Sequence, residues 1–321
     1  MEKVTEDTYL GSVISDSCDN SKKLEKAIDK GIGISSVIMA MLQELSLGNY
    51  YLEIATLLRE TLFINGFLWN IETWYGIKEN DLNELEKIDR MLIKRILAVP
   101  SSTPTALLYL ELGLVPLRYI IQARRLTFLR YILTRKDDDL LLKFFKAQDR
   151  EPSKDDWSAT VKKDLEDFEI DETFEDITQY SKTSWQNKVR QSMKAKAFED
   201  LLESQTELSK GSNLNYGDLK MRSYLKSNHI NIKQAKLIFK IRTRMMNVKT
   251  NYKQNYNDLS CPCCKLELAT QEHMAMTCEK LSFKISQKEY LSFFGQNEDD
   301  MAKVVKKFET NEQDRNNILD I

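Results

Sequence analysis

The stretch LRYIIQARRLTFLRYIL, residues 117–133, decides the fold class of this chain. It follows Val115-Pro116, and proline suits the first turn of a helix because its φ is already fixed and its missing N–H needs no partner there. Apolar residues then cover most of the helix circumference, as in a helix buried at the centre of a core. The stretch therefore predicts the central helix of the N-terminal part of the chain.

The segment 79–97, just before that stretch, predicts a second helix with one apolar face. Apolar residues recur in it at spacings of three and four, at Leu82, Leu85, Ile88, Leu92 and Ile96. Ten Gly and five Pro among 321 residues favour long helices over an architecture of many turns. Tyr9–Ser15 is short and contains β-branched residues, and it predicts a single isolated strand. We expect a mainly α fold.

Composition limits the class of protein and its compartment. A hydrophobic fraction of 42% is ordinary for a folded chain, and a net charge of -2 argues against a uniformly basic nucleic-acid-binding protein. The N-terminus lacks the pattern of a signal peptide, and no window reaches the roughly 20 apolar residues that span a bilayer. Four of the five Cys lie between 261 and 278, unlike an extracellular disulfide framework. We expect an intracellular protein, in the nucleus or the cytoplasm, without membrane contact.

Charge is distributed unevenly and suggests domain boundaries. Acidic residues crowd the stretch from Asp137 to Asp176, whereas Asn231 to Asn257 contains no Asp or Glu. We place a boundary near Pro152. The predicted parts are a helical domain with a short strand over 1–148, an acidic linker region over 149–183, a basic helical domain over 184–257, a Cys/His module over 258–280 and a helical tail over 281–321.

The Cys/His module predicts a metal site. Cys261, Cys264, His273 and Cys278 supply three thiolates and one imidazole within eighteen positions, which matches the closed tetrahedral shell of structural Zn²⁺. The two-residue gap before Cys264 suits a tight turn, and the gap between His273 and Cys278 is slightly more than one helical turn. We expect zinc in a structural role.

Two alternatives to that assignment stay open at this point. Cys263 could replace Cys264 as the partner of Cys261. The cysteines could also be small buried hydrophobic residues, or a Cys-x-x-Cys redox pair.

The segment before the module predicts a nucleic-acid contact. Lysines recur along one face of the predicted helix, apolar residues occupy the next face, and tyrosines that could stack on bases follow. The candidate contact residues are Lys233, Lys236, Lys240, Arg242, Arg244, Lys249, Tyr252 and Lys253. The alternative is an ordinary solvated helix face with two core tyrosines.

Short motifs occur in a definite order along the chain. They are Tyr9-Leu-Gly-Ser-Val-Ile, Glu72-Thr-Trp74-Tyr-Gly76, Leu85-Glu-Lys-Ile-Asp-Arg90, Val99-Pro-Ser-Ser-Thr-Pro104, Glu111-Leu-Gly-Leu-Val-Pro116 and Gln122-Ala-Arg-Arg125, followed by the Cys/His module. From about residue 8 to 280, this order resembles the C-terminal part of LINE-type non-LTR retrotransposon reverse transcriptases. The resemblance implies that residues 1–148 form a thumb-like domain and that the Cys/His module grips RNA or target DNA.

The chain departs from that family at the catalytic motif. Polymerisation needs carboxylates that hold two metal ions, and the family's aromatic-x-Asp-Asp motif has no counterpart here. The chain begins a few residues before Tyr9, so we expect neither palm nor fingers and no enzyme activity.

The sequence thus favours a non-catalytic, zinc-containing segment that binds RNA, single-stranded DNA or an RNA–DNA hybrid through its phosphates. Three alternatives remain. The chain could be an interaction protein in which zinc only stabilises the fold, the thumb and zinc portion of a polymerase whose palm is encoded separately, or a truncated element copy without a selected role.

Overall fold

The computed structural model describes residues 6–9, 12–15 and 20–318, except 46, 75, 152, 154, 155, 209, 212 and 296. The fold is mainly α, as predicted. The strands are β1 Glu6–Tyr9 and β2 Ser12–Ser15. The α-helices are α1 Ser21–Glu44, α2 Tyr51–Leu58, α3 Ile64–Phe67, α4 Glu79–Leu97, α5 Thr105–Leu112, α6 Leu117–Leu133, α7 Leu140–Arg150, α8 Trp157–Asp167, α9 Phe174–Gln179, α10 Lys182–Thr206, α11 Ile232–Arg242, α12 Gln287–Ser292 and α13 Glu298–Ile318. π-Helical turns occupy Arg59–Phe63 and His273–Thr277, and 3-10 turns occupy Gly48–Tyr50, Ile71–Thr73, Ser223–Leu225 and Lys249–Asn255.

The two helices predicted from residues 79–97 and 117–133 begin and end as expected. The prediction of one isolated strand over Tyr9–Ser15 is wrong, because β1 and β2 pair as an antiparallel hairpin in which Tyr9 lies opposite Ser12. Leu10 and Gly11 of the Tyr-Leu-Gly motif lie outside the described residues.

The helices form two compact units that interleave along the chain. Unit 1 contains 1–41, 57–92 and 115–200, and unit 2 contains 42–56, 93–114 and 201–321. The predicted boundary near Pro152 falls inside unit 1, at a residue outside the described part. The prediction of an acidic linker over 149–183 is wrong, because α8 and α9 lie there and pack on α6.

Unit 1 is built around α6, whose apolar side chains are buried. Leu126 and Leu129 are fully buried, and α7, α8 and α9 pack on this helix together with the turn Ile71–Thr73. Two buried tryptophans donate hydrogen bonds from their indole N–H groups. Trp157 donates to the Glu72 carbonyl and Trp185 to the Leu126 carbonyl, each at 2.8 Å. The central position predicted for α6 is confirmed.

Buried ion pairs also link the helices of unit 1. Arg125 on α6 forms two hydrogen bonds, 2.6 and 2.8 Å long, with Asp164 on α8. Arg59 forms a similar pair, at 2.7 and 2.6 Å, with Asp89 on α4. Because a buried charge is costly without a partner, the pair with Arg125 explains why Asp164, within 149–183, belongs to the core rather than to a solvated linker.

Unit 2 packs α11 against α13 and against the turn Ser223–Leu225. Ile238 and Phe239 of α11, and Val305 and Phe308 of α13, are fully buried. The predicted tail 281–321 is helical, but it contributes to this core instead of extending from it.

The segment after α5 makes a close backbone contact in unit 2. Gly113 ends α5 with a positive φ of 65°. A Cβ built on Gly113 would lie 2.2 Å from the backbone of Lys220 and Met221, which no larger residue could tolerate. The neighbouring residue Leu112 forms an antiparallel bridge with Met221.

No single helix in the described part of the chain is long and apolar enough to cross a bilayer. Thr105–Leu112 and Leu117–Leu133, taken together as a bent pair, meet that test by length and composition alone.

Candidate metal centre

The four residues predicted to bind metal lie together in unit 2. The ligand atoms of Cys261, Cys264, His273 and Cys278 are all within 4.8 Å of one another. Cys261 Sγ is 3.7 Å from Cys278 Sγ, and Cys264 Sγ is 3.2 Å from His273 Nε2. Two sulfurs of a tetrahedral zinc site stand roughly 3.7 Å apart when each Zn–S bond is about 2.3 Å. The donor set and its spacing fit a metal ion.

A short hairpin supplies the first two thiols. The Cys261 N–H donates to the Glu267 carbonyl at 2.6 Å, and the Lys265 N–H donates to the Cys261 carbonyl at 2.8 Å. Lys265 has a positive φ of 59°, which reverses the chain sharply. Cys261 and Cys264 therefore sit on opposite sides of one tight turn, as their two-residue spacing predicts.

A π-helical turn supplies the other two ligands. The Cys278 N–H donates to the His273 carbonyl at 2.9 Å, closing a bond between residues five positions apart. A π turn brings such residues onto one face of the helix, which an α-helix does less well. This turn explains why His273 and Cys278 can share one face although they lie slightly more than one α-helical turn apart. π turns of this kind are frequent at functional sites.

The imidazole of His273 is oriented by neighbours that we did not predict. Its Nδ1 lies 2.8 Å from Glu267 Oε2 and 2.8 Å from Thr277 Oγ1. A proton on Nδ1 that is shared with Glu267 leaves the Nε2 lone pair facing Cys264 and the centre of the cluster. Metal-binding histidines are commonly held in this way. The sequence offers one indication of this contact, because the acidic residue Glu267 lies between Cys264 and His273.

The two thiols at the edges of the cluster differ in acidity. Burial tends to raise the pKa of Cys264, but the backbone N–H groups of Leu266 and Glu267 outweigh it and lower that pKa to about 6. Burial raises the pKa of Cys278 to about 12. A bound cation would favour the thiolate at both positions.

Cys263 is not part of the cluster. It is half-buried, and burial raises the pKa of its thiol. Of the two pairings that the sequence left open, the structure brings together Cys261 and Cys264.

The predicted basic face on α11 is partly occupied by other side chains of unit 2. Asn231 and Gln234 form a capping box, and α11 ends at Arg242, before Arg244. Lys236 lies over the ring of Tyr51, 4.5 Å from its centroid. Lys240 is near Glu312 on α13, where burial raises the pKa of that carboxyl and Lys240 opposes the rise.

Arg242 does not lie on that face, and its assignment to an exposed contact surface is wrong. It is buried, and it forms an ion pair of 2.9 Å with Glu111, which is itself fully buried. Tyr216 and Tyr224 each donate to Glu111 at 2.7 Å. Arg242 also donates to the carbonyls of Phe293 and Gly295. It is a core residue of unit 2.

The remaining predicted contacts follow α11 directly. Arg244 is half-buried and has a positive φ of 54°. Lys249 forms an ion pair of 3.3 Å with Asp258 and lies over the Tyr256 ring. Tyr252 is half-buried, and Lys253, like Lys233 on α11, is exposed.

Comparison with protein-family models, with curated proteins and with solved structures gives no match to this chain.

Proposed function

We propose that the Cys/His cluster holds a structural Zn²⁺ and that the chain binds nucleic acid without catalysing a reaction. The observation that carries the proposal is the closed set of four soft and borderline donors, with the His273 ring oriented by Glu267. Such a set leaves no ligand position for a substrate, as is usual for structural zinc.

The metal would act on the hairpin that supports the adjacent basic segment. The Thr250 hydroxyl donates to the Ala269 carbonyl at 2.8 Å, and Ala269 ends the hairpin that carries Cys261 and Cys264. The Asn251 side chain donates to the Met246 carbonyl at 2.6 Å, which holds the same segment against the end of α11. Zinc would thus keep Lys249 to Lys253 in a defined position.

The charge on this segment supports a phosphate contact. Lys233 and Lys253 are exposed cations, and Arg244 lies between them in sequence, at the end of α11. Tyr252 offers one ring for stacking. Contacts of this kind bind phosphates without reading base sequence. The order of motifs that resembles LINE-type reverse transcriptases points in the same direction.

The zinc proposal is tested by metal content. We expect about one zinc ion per chain by mass spectrometry and the absorption of a tetrahedral thiolate site after cobalt exchange. Cys264→Ser should abolish stoichiometric binding. Cys263→Ser is the matched control, since it changes the adjacent thiol outside the cluster, and it should leave binding intact. Equal loss in both variants would contradict the ligand assignment.

The nucleic-acid proposal is tested by fluorescence anisotropy with labelled single-stranded RNA and DNA of the same length. Lys253→Glu should weaken binding and reduce its dependence on salt, because one fewer counterion is released. Lys303→Glu, on the exposed side of α13, is the matched control for charge. Binding that is absent at low salt, or that is indifferent to added salt, would contradict the proposal.

Two further measurements separate the alternatives. Under the interaction-protein alternative, zinc binds as above but Lys253→Glu has no effect on any oligonucleotide. If the purified chain extends a primer on a template, the non-catalytic assignment is wrong.

A further inference from the structure

Unit 1 contains an open groove that the function proposed above does not use. It has a volume of about 930 Å³, and it is bounded by α6, by α10 and by residues 65–72. All of its lining residues belong to unit 1, so its shape rests on that unit alone. The metal cluster and the basic segment belong to unit 2.

Two aromatic side chains in the groove are exposed. Trp69 is 55% exposed and Tyr131 is 47% exposed. The other three tryptophans of the chain are buried, at 8% exposure or less. Because large aromatic rings are normally placed in a core, two exposed rings in one groove offer aromatic surface to a ligand. Tyr131 also packs against Phe128, with ring centroids 5.7 Å apart, and the Arg135 guanidinium lies 4.9 Å from the Tyr131 centroid.

The charged side chains of the groove are mostly cationic. Lys182 and Arg190 line it, and neither makes a hydrogen bond or an ion pair with the described residues. Arg124 donates to the Leu68 carbonyl at 2.8 Å, and Arg130 donates to the Tyr180 carbonyl at 2.9 Å. A carbonyl holds a guanidinium in place without neutralising it.

The carboxylates that neutralise other arginines of α6 lie elsewhere. Arg118 on that helix is paired with Glu86 and Glu79, and Arg125 is paired with Asp164. Within the groove lining, Glu72 is the one carboxylate among the described residues. α6 therefore has its ion-paired arginines outside the groove, while Arg124 and Arg130 inside it are held by carbonyls. Burial lowers the pKa of Arg124, and the nearby carboxylate of Glu72 opposes that fall.

We propose that this groove binds a single-stranded nucleic acid, with bases stacked on Trp69 and Tyr131 and phosphates held by Lys182, Arg190, Arg124 and Arg130. Stacking platforms between cations are the arrangement by which proteins bind single strands without reading sequence. An acidic peptide would use the cations but not the exposed aromatic surface of Trp69 and Tyr131. The site is separate from the contact proposed in unit 2, and it does not require zinc.

Tryptophan fluorescence tests the stacking directly on the full-length zinc-loaded chain. Trp69 is the exposed tryptophan, so quenching by added oligo-deoxythymidine or oligouridine reports on it. Trp69→Phe should lose the quenching and keep the affinity, because phenylalanine can still stack. Trp69→Ala should weaken binding about tenfold in anisotropy. Phe144→Ala, which removes a ring that is 68% exposed on α7, is the matched control and should bind like the parent chain.

Charge reversal supplies an independent readout of the same groove. Arg190→Glu should weaken binding and lower the salt dependence, whereas Lys143→Glu, an exposed control on α7, should not. Equal affinities for Trp69→Ala and Phe144→Ala would overturn the proposal. Full displacement of the oligonucleotide by polyglutamate of equal charge would also overturn it. Loss of binding on zinc removal without loss from Trp69→Ala would assign the contact to unit 2 alone.

Discussion

The two units of this molecule bury arginine in different ways. Unit 1 uses separate pairs, Arg59 with Asp89 and Arg125 with Asp164, each joining two helical segments. Unit 2 gathers its donors around the single carboxylate of Glu111, which accepts from Arg242 and from two tyrosines. Residue type therefore does not tell which arginine of this chain is buried and which is exposed. Position relative to the apolar stripe decides it.

The units also differ in what holds them together besides their cores. Within the part of the chain that the structure describes, the one group of clustered metal-ligating residues belongs to unit 2. Unit 1 relies on apolar packing around α6 and on its paired charges. We expect unit 2 to depend on metal and on one carboxylate, and unit 1 to spread its dependence over several contacts.

Removal of zinc should have the largest effect on stability, and it should destabilise unit 2 but not unit 1. Structural zinc contributes on the order of 10 kcal/mol in small zinc modules, which exceeds the stability of many domains. A zinc chelator should remove hydrogen-exchange protection from the amides of 259–278, while the amides of α6 in unit 1 stay protected. Simultaneous loss in both segments would break the comparison, because the units would then unfold as one.

Glu111→Ala should have the next largest effect. It leaves Arg242 buried without a counter-charge and takes the acceptor from Tyr216 and Tyr224, so we expect a loss of about 5 kcal/mol in the free energy of unfolding. Glu111→Gln keeps the shape and one acceptor oxygen and should lose less. The measurement is denaturant unfolding followed by a probe in unit 2. An effect below that of a surface substitution would show that the cluster is not a stabilising centre.

The burial of Arg242 could be predicted from the sequence, but its partner could not. The residue lies four positions after Ile238 and seven after Ala235, both buried, whereas Lys233, Lys236 and Lys240 share another stripe. The spacing thus contained a signal that Arg242 belongs to the core. Its partner Glu111 is 131 residues away in sequence, and no local pattern links the two.

Other features were predictable because their causes are local. The bounds of α4 and α6 follow from apolar periodicity and from the prolines at 100 and 116, and the metal cluster follows from the spacing of its four ligands. Composition alone places Asp164 in a linker, because its partner Arg125 lies 39 residues earlier and no local pattern connects the two. The second strand and the π turn at His273 depend on hydrogen bonds that similar sequences can make or omit.

Asp89→Ala should have a smaller effect, confined to unit 1. It removes the carboxylate that forms two hydrogen bonds with the buried guanidinium of Arg59, while the Val115 carbonyl still accepts from that guanidinium at 3.1 Å. We expect a loss of about 3 kcal/mol in the free energy of unfolding. Asp138→Ala removes an exposed carboxylate on the same unit and should change it by less than about 0.5 kcal/mol. If Asp89→Ala lowered the free energy of unfolding as much as Glu111→Ala, a carboxylate with several donors would stabilise its unit no more than one in a single ion pair.

The smallest effect should come from a half-buried carboxylate of unit 2, Glu289. Lys307 and the cap residue Ser286 stabilise its charged form and lower its pKa to about 2. A carboxyl with a lowered pKa in the folded state stabilises the protein above its ordinary pKa of about 4.5, and that contribution is lost as the pH falls towards 2.

Because solvent screens this pair, we expect the contribution of Glu289 to stay below about 1 kcal/mol. Glu289→Gln should flatten the acid limb of the unfolding free energy between pH 4.5 and 2 by that amount, measured by denaturant titration at fixed ionic strength. Lys307→Met should flatten it less, since the Ser286 cap still favours the carboxylate. If Glu289→Gln lowered the free energy of unfolding as much as Glu111→Ala, burial would not explain why one carboxylate of unit 2 stabilises the fold more than the other.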